Sequence, residues 1–196
     1  MKERIYKGAF GYLNVQRKRE WIKTLLLFCI SFGMLFLGMV ITKHRNPDIS
    51  WSSSRNNLLT VAAVLGILPA ARFMISAIMF EKAKKYACPE KLYEKVKESC
   101  RSSVAYELFL TAYKEEYPLY CCVCTENEVL SCGPYDDKKA GRGEEHIRTI
   151  LKKEGRNNVI VKLFSDEKAF LDRIRKTADV SEKSEELLGI MKSISI

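Results

Sequence analysis

The chain has 196 residues, 47% hydrophobic and 29% charged, with 33 basic against 24 acidic side chains and a formal net charge of +9. Such averages fit an ordinary soluble domain, but the distribution excludes one, because the apolar residues gather in two blocks, 21–42 and 58–80. The charge is equally uneven: residues 1–101 carry 18 basic and 7 acidic groups, a difference of +11, while residues 102–196 carry 15 and 17, a difference of −2, which argues against a nucleic-acid surface on the second half.

A helix rises about 1.5 Å per residue and needs roughly 20 apolar residues to cross a hydrocarbon layer about 30 Å thick. Both blocks reach that length. The first, WIKTLLLFCISFGMLFLGMVIT, has one charge, Lys23, near enough to its start to reach the headgroups. A secretory signal has an apolar core of about 7 to 15 residues and a small-residue cleavage site. This run is longer and continues into TKHRNPD, so a retained span is expected.

The second block holds Arg72 inside LGILPAARFMISAIMF. About 12 Å of helix rise separates it from Phe80, a gap that a long side chain covers in part by stretching toward the headgroups. The alternative is that Arg72 faces a partner helix or a polar pathway, as intramembrane charges do. Pro69 frees a main-chain carbonyl nearby. Ala62, Gly66 and Ala70, four residues apart, let another helix approach closely. The first span is the expected partner, and a second copy of the chain is the alternative.

Basic residues orient the pair. Six precede Trp21, seven lie in residues 81–101, and three lie in the connection 43–57. Basic segments stay on the cytoplasmic side, so the expectation is a multi-pass protein of the cell membrane with both termini cytoplasmic and 43–57 external. Residues 1–20, which mix lysine and arginine with Ile5, Tyr6, Phe10, Tyr12 and Leu13, read as a basic interfacial segment, although Gly8 and Gly11 interrupt a continuous helix there. RKRE before the first span and EKAKK after the second suit anionic headgroups.

Beyond the spans, Pro89 suits the start of a helix, and Leu92, Val96, Cys100, Val104, Leu108 and Ala112 recur every four residues. That spacing predicts a helical stalk over 81–116, in one piece or broken near Ser102. Residues 117–196 then read as a small domain. YPLYCCVCTENEVLSCG is a strand pair turning at Glu126 and Asn127, a polar loop PYDDKKAGRG leads to the helix EEHIRTILKKEG, and NVIVKLF is a third strand, parallel to its neighbour because a helical crossover precedes it. Ser165 is the expected cap of the next helix, and Leu187, Leu188 and Met191 mark a final one. The fold class expected is a transmembrane α-helical hairpin followed by a small cytosolic α+β domain of about three strands with helices on one face.

Candidate chemistry is thin. Cys122, Cys124, Cys132 and His146 are the weak metal candidates, since zinc takes cysteine and histidine. The adjacent Cys121 and Cys122 point to opposite faces of a strand and lack the spacing of a CxxC knuckle. Small apolar thiols in a core are the preferred reading, with a redox or acylated thiol as the alternative. A cytosolic location and an odd total of seven cysteines both suit free thiols. The sequence has no Walker loop, GxGxxG, GxSxG or HExxH. His146 is the one imidazole on the cytoplasmic side, available to Cys132 or Cys124 as a nucleophile pair. The acidic group Asp136, Asp137, Glu144 and Glu145 reads as a solvated turn and a helix start. No cofactor is indicated.

Two resemblances bear on these residues. The order helix, hairpin, acidic loop, helix and strand, with PYDDKK at 134–139, resembles the restriction-endonuclease-like fold. That family also needs an acidic residue two before a lysine on an adjacent strand, and the chain lacks it, which removes the metal geometry. KGAFGYLNVQRKRE, a span, NNLLTVAAVLGILPAARFMISAIMF and an α/β tail together resemble uncharacterised bacterial two-span membrane proteins. That resemblance implies the architecture and no activity. The functional expectation is a cytosolic interaction or regulatory module at the membrane, without enzymatic activity, working with a protein partner or as a homo-oligomer. An accessory subunit of a transport complex and a membrane-anchored enzyme are the alternatives.

Overall fold

The structure, a computed structural model, describes residues 5–48, 50, 58–100, 103–112, 115–176 and 181–195. Most of the connection 43–57 lies outside them. The chain divides into two units, one of residues 14–82 and one in which residues 1–13 join 83–196.

In the first unit, helices α1 (Tyr12–Arg45) and α2 (Leu58–Lys84) run through the two apolar blocks. Both are long and apolar enough to cross a membrane, and their most apolar stretches are only 17% and 11% buried. Thr24, Ser31 and Gly38 of α1 and Ala63, Ala70 and Ala77 of α2 are buried. Steps of seven are the period of a left-handed two-helix seam, and small side chains there bring the backbones together. A Cβ on Gly66 would lie 2.6 Å from Ser31 Oγ, so Gly66 marks a close approach. The seven-residue period explains why Ala63 is fully buried while Ala62 is only half-buried.

The second unit contains α3 (Glu90–Ser99), β1 (Ser103–Thr111), β2 (Glu116–Cys124), β3 (Glu128–Cys132), α4 (Asp137–Lys153), β4 (Ile160–Phe164), α5 (Glu167–Ile174) and α6 (Glu182–Ile194). The sheet order is β1-β2-β3-β4. The first two pairings are antiparallel, and β4 lies parallel to β3 after the α4 crossover. There are thus four strands, not three. Residues 103–111 form β1 rather than the second half of a helical stalk, since α3 ends at Ser99 and the chain is extended by Cys100. The four-residue spacing misled because SVAYELFLT is buried on both faces, and a doubly buried strand carries no alternation to distinguish it from a buried helix.

Helices cover both faces, which corrects the one-sided arrangement. Leu92 and Val96 of α3 and Phe170, Leu171 and Ile174 of α5 join Cys121, Val123, Leu130 and Cys132. Ile147 and Leu151 of α4 and Leu187, Leu188 and Met191 of α6 join Leu119, Cys122, Cys124, Val129 and Val161 on the opposite side. A Cβ on Gly143 would lie 2.6 Å from Leu163 Cδ1 and 2.9 Å from Tyr117, so glycine lets α4 rest closely on the sheet. PYDDKKAGRG is largely helix: α4 begins at Asp137, with the Asp136 side chain accepting from the Lys139 N–H, and Asp166 rather than Ser165 caps α5.

Candidate functional site

The cysteines sit on two faces of one sheet. Cys122 and Cys124 face α4 and α6, with their sulfurs 3.9 Å apart. Cys121 and Cys132 pair across β2 and β3 and face α3 and α5. Cys132 therefore does not join Cys122 and Cys124. His146 stacks on Tyr117, ring centroids 5.9 Å apart. Among the described residues no three of His, Cys, Asp and Glu converge to hold a metal ion. Burial pushes the Cys88 and Cys132 thiols up to about 12 and Cys121 well above its ordinary value. Cys124 is raised by its contact with Cys122 and by burial. Thiols so raised stay protonated at neutral pH and are poor nucleophiles, whereas Cys122 is held below its ordinary value, first by its contact with the Cys124 thiol. Ser131, opposite Cys122, has a buried Oγ without a close hydrogen-bond partner among the described residues.

The acidic cluster is divided among structural tasks. Asp136 caps α4, Asp137 accepts from the Ser165 hydroxyl at 3.4 Å, and Glu144 accepts the outward Leu163 N–H of edge strand β4 at 2.9 Å. With Lys162 exposed on the same strand, that bond blunts the edge against pairing. Beside it, an open groove of about 490 Å³ runs between β4 and α5, floored by Leu130, Ile160 and Phe164 and crossed by the Arg173–Glu128 ion pair.

In the helix pair, three contacts set the level of Arg72. Ser31 faces Gly66, the Lys23 ammonium lies 5.1 Å from the Phe73 ring centroid, and Arg17 reaches Glu81 at 3.1 Å. Each step along α1 is therefore matched by one step back along α2. Arg72 stands beside Phe73, hence near the level of Lys23 and a turn from Trp21, at the margin of the apolar stretch. It is exposed and makes no hydrogen bond or ion pair among the described residues. Pro69 lies inside α2. Glu20, only 4% exposed, accepts from Gln16 and from Lys23.

One constellation escaped the sequence reading. Residues 5–11 turn at Gly8 and Gly11, with φ of 89° and 80°, and pack against β1. The described part of the basic segment, residues 5–20, is therefore two things, a strap on the sheet and the first turns of α1. Glu107, 2% exposed in the middle of β1, adopts φ 54° and accepts the Leu13 N–H at 2.9 Å. That conformation shifts the strand's alternation: Ala105 before it and Leu108 and Leu110 after it face the α4 and α6 side. β2 shifts in step, from Tyr117 and Leu119 to Cys122 and Cys124, so the register is unbroken from Tyr106↔Cys121 to Leu108↔Leu119. A glutamate inside an apolar run was the available signal.

Comparison of the chain with protein-family models, with curated proteins and with solved structures found no match.

Proposed function

We propose that this chain is a two-span membrane protein that presents its four-stranded domain as an interaction or regulatory module on the cytoplasmic side. The carrying observation is where large apolar side chains are exposed: of the 20 that stand exposed among the described residues, 18 belong to α1 and α2. A soluble monomer rarely exposes a contiguous apolar patch beyond a few hundred Å². From Lys23 to Lys43 α1 rises about 30 Å, the thickness of a hydrocarbon layer. Trp21, 44% exposed, suits the interface at one margin. The basic residues around Arg17–Arg19 and Lys82–Lys85 favour the cytoplasmic side for both ends. At the level of Lys23, Arg72 has a short reach to headgroups, which weakens the motive for a transport role. An interaction role rests on a domain with an open groove and without a recognisable catalytic constellation among the described residues.

Alkaline extraction of membranes and protease treatment of sealed cells test the placement. The full chain is expected in the membrane pellet with a C-terminal tag protected in intact cells. Release into the supernatant, or cleavage of the tag from outside, overturns it. Crosslinking of the tagged chain in cells tests the module, with a partner recovered in near-equal amount as the expected result. Recovery of the chain alone would replace the partner with a homo-oligomer.

A further inference from the structure

The seam between α1 and α2 is built from small side chains, and beside Thr24 it leaves an open groove of about 280 Å³ along one flank. Trp21, Leu25, Phe28 and Phe32 of α1 and Met74 of α2 line it, and the exposed Cys29 stands at its rim. Thr24 commits its hydroxyl elsewhere, donating to the Glu20 carbonyl at 2.8 Å. Phe28 and Phe32 stack along the wall, ring centroids 6.1 Å apart.

Length and position say what such a groove holds. Trp21 to Phe32 is about 16 Å of helix rise, and one leaflet of a hydrocarbon layer about 30 Å thick is about 15 Å deep. The groove opens at Trp21, placed above at the interface, and ends near the middle of the apolar stretch of α1. Left empty, its walls lose dispersion contacts. Within a bilayer, the flexible apolar chain that restores them is an acyl tail from the leaflet at that end.

Charge at the mouth selects the headgroup. Arg17 stands four residues before Trp21 and seven before Thr24, and Lys18 stands seven before Leu25, so both continue the groove face of α1 toward the cytoplasmic side. Lys82, eight residues after Met74, continues the matching face of α2. Arg17 is engaged by Glu81 at 3.1 Å, while Lys18 is exposed and forms no ion pair among the described residues. Three basic side chains against one acidic leave the mouth positive, which suits the acidic lipids of a cytoplasmic leaflet.

We propose that this groove is a binding site for one acidic phospholipid of the cytoplasmic leaflet. An acyl chain lies along Trp21, Phe28 and Phe32 against Met74, and the headgroup is held by Lys18 and Lys82. The site rests on the membrane placement and goes beyond a general attraction of basic segments to headgroups, because shape and charge together fix a single lipid.

The full chain carrying Trp51→Phe, which leaves Trp21 as its one tryptophan, is reconstituted into vesicles of phosphatidylcholine and phosphatidylglycerol. One lipid or the other carries bromine near the carboxyl end of its acyl chains. Quenching of Trp21 is expected to show phosphatidylglycerol enriched beside it about fivefold over its share of the bilayer. Lys18→Gln with Lys82→Gln should abolish that enrichment, as should Cys29→Phe, which fills the groove. Arg72→Gln, on the same margin but outside the groove lining, should leave it intact. Alkaline extraction shows whether each variant is inserted, and Met74→Phe fills the groove from the other helix should Cys29→Phe fail to insert. Release of the parent chain into the supernatant overturns the placement, whereas an inserted chain quenched equally by both lipids overturns the site alone. Enrichment that survives the lysine changes or the filled groove, or that Arg72→Gln removes as well, reduces the effect to diffuse attraction and also overturns the site.

Discussion

The two units are built inside out relative to each other. In residues 14–82 the buried positions hold Glu20, Thr24, Ser31, alanines and, near the end of α2, Phe80, while Leu25, Phe32, Leu65 and Leu68 stand exposed. In the sheet unit Leu119, Ile147, Leu151 and Phe170 are buried, and exposed positions carry charges such as Lys162 and Arg173. Water makes apolar burial the driving force of the second arrangement. Helices in an apolar surrounding gain nothing by hiding leucine and associate through small residues at close approach. The same side chains thus take opposite places in the two units, as the proposed membrane placement of the first requires.

The contrast can be broken most forcefully in the sheet unit. Phe170, fully buried against Phe164, should cost about 3–5 kcal/mol when replaced by alanine, read by denaturant unfolding of the full chain in micelles. A loss under 1 kcal/mol would mean that this face is not a packed core. In the helix pair the sensitive change is polar rather than apolar. Leu65→Arg, near the middle of the apolar stretch, should lower membrane insertion by about 2.5–3.5 kcal/mol, whereas Arg72→Leu should leave insertion unchanged or improved in the same assay. Equal effects would remove the assigned margin.

Gly66→Leu, forced against Ser31, should destabilise helix pairing by about 1–3 kcal/mol, measured as loss of a crosslink between cysteines placed across the seam. Leu68→Ala on the exposed side of α2 should not affect that crosslink. Ser131→Ala should stabilise the sheet unit by about 1 kcal/mol, because it removes a buried hydroxyl with no close partner among the described residues. Destabilisation would reveal a hydrogen bond for Ser131.

The smallest effect in ordinary buffer concerns pH. Cys88 and Cys132 are raised to about 12 from 9.0. Below pH 9 both folded and unfolded chains keep these protons, so the thiols give stability no slope. From pH 9 toward 12 the unfolded chain releases them first, and stability falls as pH rises. Thermal unfolding between pH 6 and pH 11 should show a flat region and then a decline, and the decline should be shallower in Cys132→Ala.

The two long helices, the strand turn at Glu126–Asn127, the parallel return of β4 and the stop at Gly155 were legible because local chemistry sets them: apolar length, a two-residue turn, a helical crossover and a left-handed glycine at φ 77°. β1 was misread because burial on both faces erased its alternation. The acidic loop hid two turns of α4, since a helix whose early residues are polar shows no apolar period until Ile147. Of the candidate residues, Cys122 and Cys124 share a face as strand periodicity requires, but the separation of Cys132 and the stacking of His146 on Tyr117 depend on where β3 and α4 pack.

What the sequence by itself determined is what short-range physics controls: span length, charge balance, turn chemistry and the apolar stripes of single elements. Tertiary structure alone decided which small residues form the helix seam, the margin at which Arg72 stands, and the capture of residues 5–13 by β1. Each of these joins groups that are distant in sequence, as Leu13 is from Glu107, and whether they meet depends on the register in which separate elements pack, which no local pattern encodes.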